Sequence, residues 1–75
     1  MHISTALQDD LFNEIVDEKV PVTVFLMNGF QIKGVMIDHD DAVVVLEVEG
    51  RQQIVYKHAI STIIPIRPIK VLKEK

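Results

Sequence analysis

The sequence predicts a small, mainly β domain: one N-terminal helix followed by five short antiparallel strands in a strongly bent sheet. Three observations carry that prediction. The apolar residues follow a helical period from residue 6 to 18 and then switch to a period of two. Turn chemistry recurs at Asn28-Gly29, at Asp38-His39-Asp40-Asp41 and at Glu49-Gly50. Valine and isoleucine dominate the apolar residues, which suits pleated strands.

In the helix, Leu7, Leu11, Phe12, Ile15 and Val16 make one apolar stripe. Thr5 with Gln8 three residues on fits a capping box. Asp9 and Asp10 sit near the start, where the helix dipole favours anions. Pro21 ends the pattern. From Val20 onward, Val20, Val22, Val24 and Leu26 share one strand face and Thr23, Phe25 and Met27 the other. Asn28-Gly29 is a strong hairpin signal leading into a strand from Phe30 to Asp38, with Gly34 as a bend. Asp38 to Asp41 reads as a turn, Ala42 to Val48 as a β-branched strand, and Glu49-Gly50-Arg51 as the turn into Gln52 to Tyr56. Ile60 to Ile64 is a last strand, stopped by Pro65. Such a sheet nearly closes into an open barrel. Residues 1–65 form one domain, and residues 66–75 read as a short, poorly ordered basic tail.

A 75-residue chain buries only about 60% of its unfolded surface and is marginal alone. It has no cysteine, so no disulfide supports it. With 48% hydrophobic residues it carries more apolar surface than it can hide, so self-association is the expectation. Exposed apolar edge strands invite pairing between copies, and head-to-tail pairing closes as a ring or runs on as a fibre. No apolar run approaches the length of a membrane span, and Met1-His2-Ile3-Ser4 lacks the basic start of a signal peptide. A cytoplasmic location with no membrane contact is therefore expected. The net charge is −3, with +3 in residues 66–75 and hence −6 in residues 1–65. That is not the broad basic surface of a general nucleic-acid binder, so any polyanion contact must be local.

No nucleophile elbow, Gly-rich phosphate loop or Cys-His pairing is present, and no enzymatic activity is expected. His39 stands among Asp38, Asp40 and Asp41, but the spacing fits neither a helical histidine pair nor a calcium loop, so no metal or cofactor is expected. The stretch Tyr56-Lys57-His58-Ala59-Ile60-Ser61-Thr62-Ile63 places a lysine and a histidine at a tight strand junction. In one copy this pair is an ordinary polar turn. Repeated around a symmetry axis, it focuses positive potential inside an acidic body. Gln8 has the chemistry to read a base edge. Phe25 and Phe30 flank the glycine turn, where they either pack or stack on bases at roughly 1–3 kcal/mol each.

Val20-Pro21-Val22-Thr23-Val24-Phe25-Leu26-Met27-Asn28-Gly29-Phe30-Gln31-Ile32-Lys33-Gly34, the following Asp40, and Tyr56 to Ile63 closely resemble the two signature segments of Hfq, the bacterial Sm-like RNA-chaperone family. The resemblance covers about residues 7–65 and includes Leu7-Gln8-Asp9 and Asn13. It implies the Sm-like fold, a helix on a bent five-stranded sheet, with six copies closed into a ring through their edge strands. It also implies a proximal, helix-bearing face where uridine-rich RNA enters the pore, carried here by Gln8, Asp41, Ala42, Lys57 and His58. Asp41 stands where the family often has Gln, Asn or Lys, and Ala42 where it usually has an aromatic ring. Both departures weaken the pore expectation.

On the opposite, distal face the family takes adenine-rich RNA. The matching residues are Phe25, Leu26, Asn28, Gly29, Phe30, Gln31, Ile32, Lys33, Gln53, Ser61 and Thr62. The lateral rim corresponds to Asn13, Val16, Asp17, Lys19 and His39, where only Lys19 is a fixed cation. The arginine cluster of many members is absent, and the basic tail is a candidate substitute. The implied partners are single-stranded RNA, both small regulatory RNAs and mRNAs, further copies of the chain as a homohexamer, and proteins of RNA turnover. A second reading, favoured by the acidic body, is a ring that scaffolds proteins and has little RNA affinity.

Overall fold

The computed structural model describes residues 5–69. The N-terminal segment and residues 70–75 lie outside the described residues, as does the Thr5 side chain on which the expected capping box depends. Helix α1 (Thr5–Asp17) leads into β1 (Pro21–Leu26), β2 (Gln31–His39), β3 (Val43–Val48) and β4 (Arg51–Tyr56). A single 3₁₀ turn, Lys57–Ala59, then leads into β5 (Ile60–Pro65).

The helix is stopped before Pro21, by its own backbone. Lys19 adopts a left-handed φ of 53°. Its N–H donates to the Val16 carbonyl, and the Val20 N–H reaches back to the Ile15 carbonyl. That is the Schellman pattern, completed by the buried pair Val20 and Ile15. Val20 thereby enters the core and β1 starts one residue later.

The five strands form one sheet in the order β4-β3-β2-β1-β5, each pair antiparallel. β4 and β5 are the two edges of an open sheet, linked through the 3₁₀ turn, and the pairing itself shows no closed barrel. Two irregularities bend it. Ile37 is an extra residue between the Met36–Leu46 and Asp38–Val45 pairs, and Ser61 is one between the Leu26–Ile60 and Phe25–Thr62 pairs. Extra residues of this kind increase local twist. Gly34 answers a different need. A Cβ there would lie 2.6 Å from the Glu47 carbonyl oxygen, so glycine lets β3 cross β2 closely.

The hairpin at Asn28-Gly29 has a three-residue loop. The Gly29 N–H donates to the Leu26 carbonyl and the Leu26 N–H to the Phe30 carbonyl, with φ of 95° at Gly29. The Asn28 side chain also accepts the Phe30 N–H at 3.0 Å. The two-residue left-handed turn occurs instead at Glu49-Gly50, with φ of 53° and 82° between the paired Val48 and Arg51. A further correction concerns Asp38 and His39, expected in a turn. They pair with Val45 and Val44 as the end of β2, because the Ile37 bulge shifts the register and lengthens the strand.

The core comprises Ile15, Val20, Val22, Val24, Met36, Val44, Leu46 and Val55. It sits between α1 and one face of the sheet, as the alternation of Val20, Val22 and Val24 requires. Removing a side chain such as Met36, which is fully buried, costs about 2–5 kcal/mol. No helix among the described residues is long and apolar enough to cross a membrane. The tail starts in contact with the body. The Ile66 N–H donates to the Pro21 carbonyl, Arg67 pairs with Glu18 at 3.5 Å, and Ile69 packs against the core cluster. Residues 66–69 thus contact the body, and the rest of the tail expected from composition lies outside the described residues.

Candidate functional site

Two surfaces collect the residues singled out by sequence. The first lies on the helix side. Asp40 Oδ1 accepts the backbone N–H groups of Ala42 at 2.8 Å and Val43 at 2.9 Å, closing the β2–β3 turn. Those donors, chiefly Ala42 and then Val43, hold the Asp40 carboxyl below its ordinary range, and the charges of Lys57 and His39 act in the same direction. The Ala42 carbonyl in turn accepts the Lys57 N–H at 2.8 Å, which fixes the start of the 3₁₀ turn.

From there Lys57 reaches α1. Its Nζ donates to Gln8 Oε1 at 3.3 Å and stands 5.0 Å from the centre of the Phe12 ring. Gln8 and Phe12 are four residues apart and so share a helix face. The other side of this cluster is built on His39. Its ring meets Phe12 edge-on at 5.3 Å, and its Nε2 lies 2.8 Å from Asn13 Oδ1. With that carbonyl as acceptor, Nε2 carries the proton, and Nδ1 is buried without a partner. His58 is exposed and stacks on Tyr56, ring centres 5.7 Å apart. Asp41 and Ala42 are exposed beside the turn.

An open cleft of about 350 Å³ runs along this side, lined by Gln8, Leu11, Phe12 and Lys57 from one wall and Ile60 to Ile63 from edge strand β5. The structure therefore brings Gln8, Lys57, Asn13 and His39 into one connected cluster through Phe12. Sequence reasoning placed Phe12 only in the apolar stripe. Its spacing from Gln8 was the available signal. Of the remaining rim residues, Val16 packs against the core, while Asp17 and Lys19 are exposed.

The second surface is the sheet face turned away from α1, together with the β1–β2 hairpin. Cross-strand pairing sets Gln31, Phe25 and Thr62 in one row and Lys33, Thr23 and Ile64 in the next. Phe30 projects from the loop with 70% of its surface exposed, and Met27 beside it is equally open. The Met27 N–H donates to the Ala59 carbonyl, so the hairpin is tied to the Lys57–Ala59 turn. Asn28 and Gly29 shape the loop, and Leu26 and Ile32 pack against the core instead of facing out. Ser61 is the bulged residue. It and Thr62 also border the helix-side cleft, because β5 is an edge strand with both sides open.

One predicted residue is not brought to this surface. Gln53 pairs with Leu46 on β4, the opposite edge of the sheet from β5. The two edges match in character: Ile54 and Tyr56 on β4 are largely exposed, and so are Ile64 on β5 and Ile66 just beyond it. Among the described residues, no group of three or more histidine, cysteine or acidic side chains is arranged to hold a metal ion.

Comparison with known proteins assigns the chain a family. The family model described as "Hfq protein" matches residues 7–70. The RNA-binding protein Hfq of Syntrophomonas wolfei is 56% identical over 66 residues, covering 88% of this chain and 80% of that protein. The RNA-binding protein Hfq of Halalkalibacterium halodurans is 49% identical over 74 residues, covering 99% of this chain and 95% of its own length. Among solved structures, a crystal structure described as that of the pleiotropic translational regulator Hfq superposes with a TM-score of 0.75 at 45% identity. The match covers 77% of this chain and 97% of that one.

Proposed function

The chain belongs to the Hfq family, the Sm-like RNA chaperones, and from that premise we propose that it works as a homohexameric ring in post-transcriptional regulation. It binds A-rich single-stranded RNA on the hairpin-bearing face and U-rich RNA more weakly at the pore. It makes and breaks no covalent bonds. It assists pairing of small RNAs with mRNAs by concentrating the strands and holding bases unpaired.

The observation that carries this reading is Phe30, an aromatic ring 70% exposed beside Phe25, Gln31, Lys33 and Thr62. An exposed ring contributes little to folding, whereas a base can stack on it. Gln31 and Thr62 supply hydrogen-bonding groups in the adjacent row, and Lys33 a cation for the backbone. Ring closure by pairing β4 of one copy with β5 of the next removes both open edges and covers Ile54, Tyr56 and Ile64. It also carries Gln53 towards a neighbour's hairpin surface, which makes the distal pocket a product of two subunits.

At the pore, six Lys57–Gln8 pairs surround one axis. The exposed Asp41 opposes phosphate there, and Ala42 offers no ring, so this site is the weaker one. Titration of fluorescent A-rich and U-rich oligonucleotides of equal length, at one salt concentration, tests the order. Tighter binding of the A-rich strand is expected. Equal or reversed affinities refute the assignment of the stronger site.

A further inference from the structure

The loop between β1 and β2 holds two large apolar side chains that the fold leaves in the open. The Leu26 N–H donates to the Phe30 carbonyl, and Met27, Asn28 and Gly29 lie between those two residues. Met27 and Phe30 are exposed to the same extent, and neither belongs to the core cluster. Met27 is fixed through its backbone, by its N–H on the Ala59 carbonyl at 2.8 Å, so its place does not depend on its side chain. It lies on neither β4 nor β5, the edges that ring closure covers. Met36 is its opposite, a thioether fully buried in the core cluster.

Methionine sulfur is soft and polarizable, and its oxidation in a protein follows access. Peroxide meets Met27 directly, and Met36 only when the core opens. The Sδ lone pair attacks one peroxide oxygen, an S–O bond forms as the O–O bond breaks, and the other oxygen leaves with both protons as water. The sulfur is oxidised and the peroxide reduced, with no further reactant. A thioether on the same loop as Phe30 extends the apolar surface on which a base can lie. The sulfoxide is polar and chiral, and it keeps its water.

We propose that Met27 is a peroxide-sensitive modification site, and that its conversion to the sulfoxide weakens RNA binding at the hairpin-bearing face. The change is reversible. Methionine sulfoxide reductases, one for each epimer, return the thioether while two thiols become a disulfide and water leaves. The core is not the sensor, since Met27 stands outside it. The loss of affinity, which rests on the proposed A-rich site at this face, should be about fourfold, the equivalent of one buried methylene.

Treatment of the full chain with hydrogen peroxide, followed by peptide mapping, tests the site. Cleavage after Lys19, Lys33 and Arg51 puts Met1, Met27 and Met36 on separate peptides. Met27 should gain an oxygen well before Met36, with the melting temperature unchanged. The oxidised protein should then bind a labelled A-rich oligonucleotide about fourfold more weakly, and the two reductases with dithiothreitol should restore the affinity. In Met27→Leu the same treatment should leave affinity at that variant's own untreated value. Oxidation of Met27 no faster than that of Met36, or unchanged affinity after it, would overturn the inference. So would a melting temperature that falls with the affinity, or an equal peroxide effect in Met27→Leu. Phe30→Ala separates this failure from that of the RNA site. If that variant binds A-rich RNA weakly while the oxidised protein binds it normally, only the oxidation inference falls. If the variant binds normally, the site at this face falls and the inference with it.

Discussion

Replacing Phe30 by alanine separates binding from folding more cleanly than any other single change in this protein. The ring is 70% exposed and stands outside the core cluster. What the fold takes from residue 30 is backbone: its carbonyl accepts the Leu26 N–H, and its N–H donates to Asn28 Oδ1. Alanine keeps both. Stability should therefore change by no more than about 0.5 kcal/mol, the range of ordinary surface substitutions. Binding should change by far more. A stacked base is worth roughly 1–3 kcal/mol, and each 1.4 kcal/mol is tenfold, so A-rich affinity should fall by about 5- to 150-fold for one base per site. Fluorescence anisotropy with a labelled A-rich oligonucleotide reads the first quantity and thermal melting the second. Unchanged affinity would refute the stacking argument. So would a fall in affinity matched by a fall in melting temperature, because the ring would then be a packing residue.

Other perturbations probe the remaining contacts. Lys57→Ala should leave A-rich binding nearly unchanged and reduce U-rich binding, and a large loss for the A-rich strand in the same titration would move that RNA to the pore. Gly34→Ala should destabilise by about 1–3 kcal/mol in a denaturant melt, because the added methyl meets the Glu47 backbone and Val48. Lys19→Gly should stabilise by about 1 kcal/mol, since a left-handed residue at the helix end loses its Cβ penalty. Asp40→Ala should lower the melting temperature at neutral pH. The Asp40 carboxyl is depressed in the folded state, so its contribution is present above the ordinary value of 3.8 and disappears as pH falls through the lower folded one. Wild type and variant should therefore converge in acid, and a gap that persists there would show that the turn depends on something other than the ionised carboxylate.

Much of the architecture was legible in the sequence because side-chain periodicity is a direct image of burial. Val20, Val22 and Val24 alternate into the core as the period-two pattern requires, and the helix stripe buries Ile15. What the pattern missed depends on backbone geometry that no residue type dictates alone. Lys19 and Glu49 take left-handed conformations as ordinary L-residues, so neither announces a helix end or a tight turn. The Ile37 bulge carries Asp38 and His39 into β2 despite their turn-forming chemistry. The helix-side site was visible as Gln8 and Lys57, but Phe12, which touches both Lys57 and His39, looked like one more core residue. Gln53 illustrates the opposite limit. Its residue type suits the distal surface, yet one chain leaves it on the far edge strand, where no pattern within a single copy joins it to the hairpin row.

The central claim is that the stronger RNA site lies on the hairpin-bearing face. Photo-crosslinking of the full-length protein to an A-rich oligonucleotide, followed by mass spectrometry of the modified peptides, tests it most directly. Crosslinks at Phe25, Phe30 and Lys33 are predicted. Crosslinks concentrated at Lys57 and His58, with the hairpin unmodified, would contradict it.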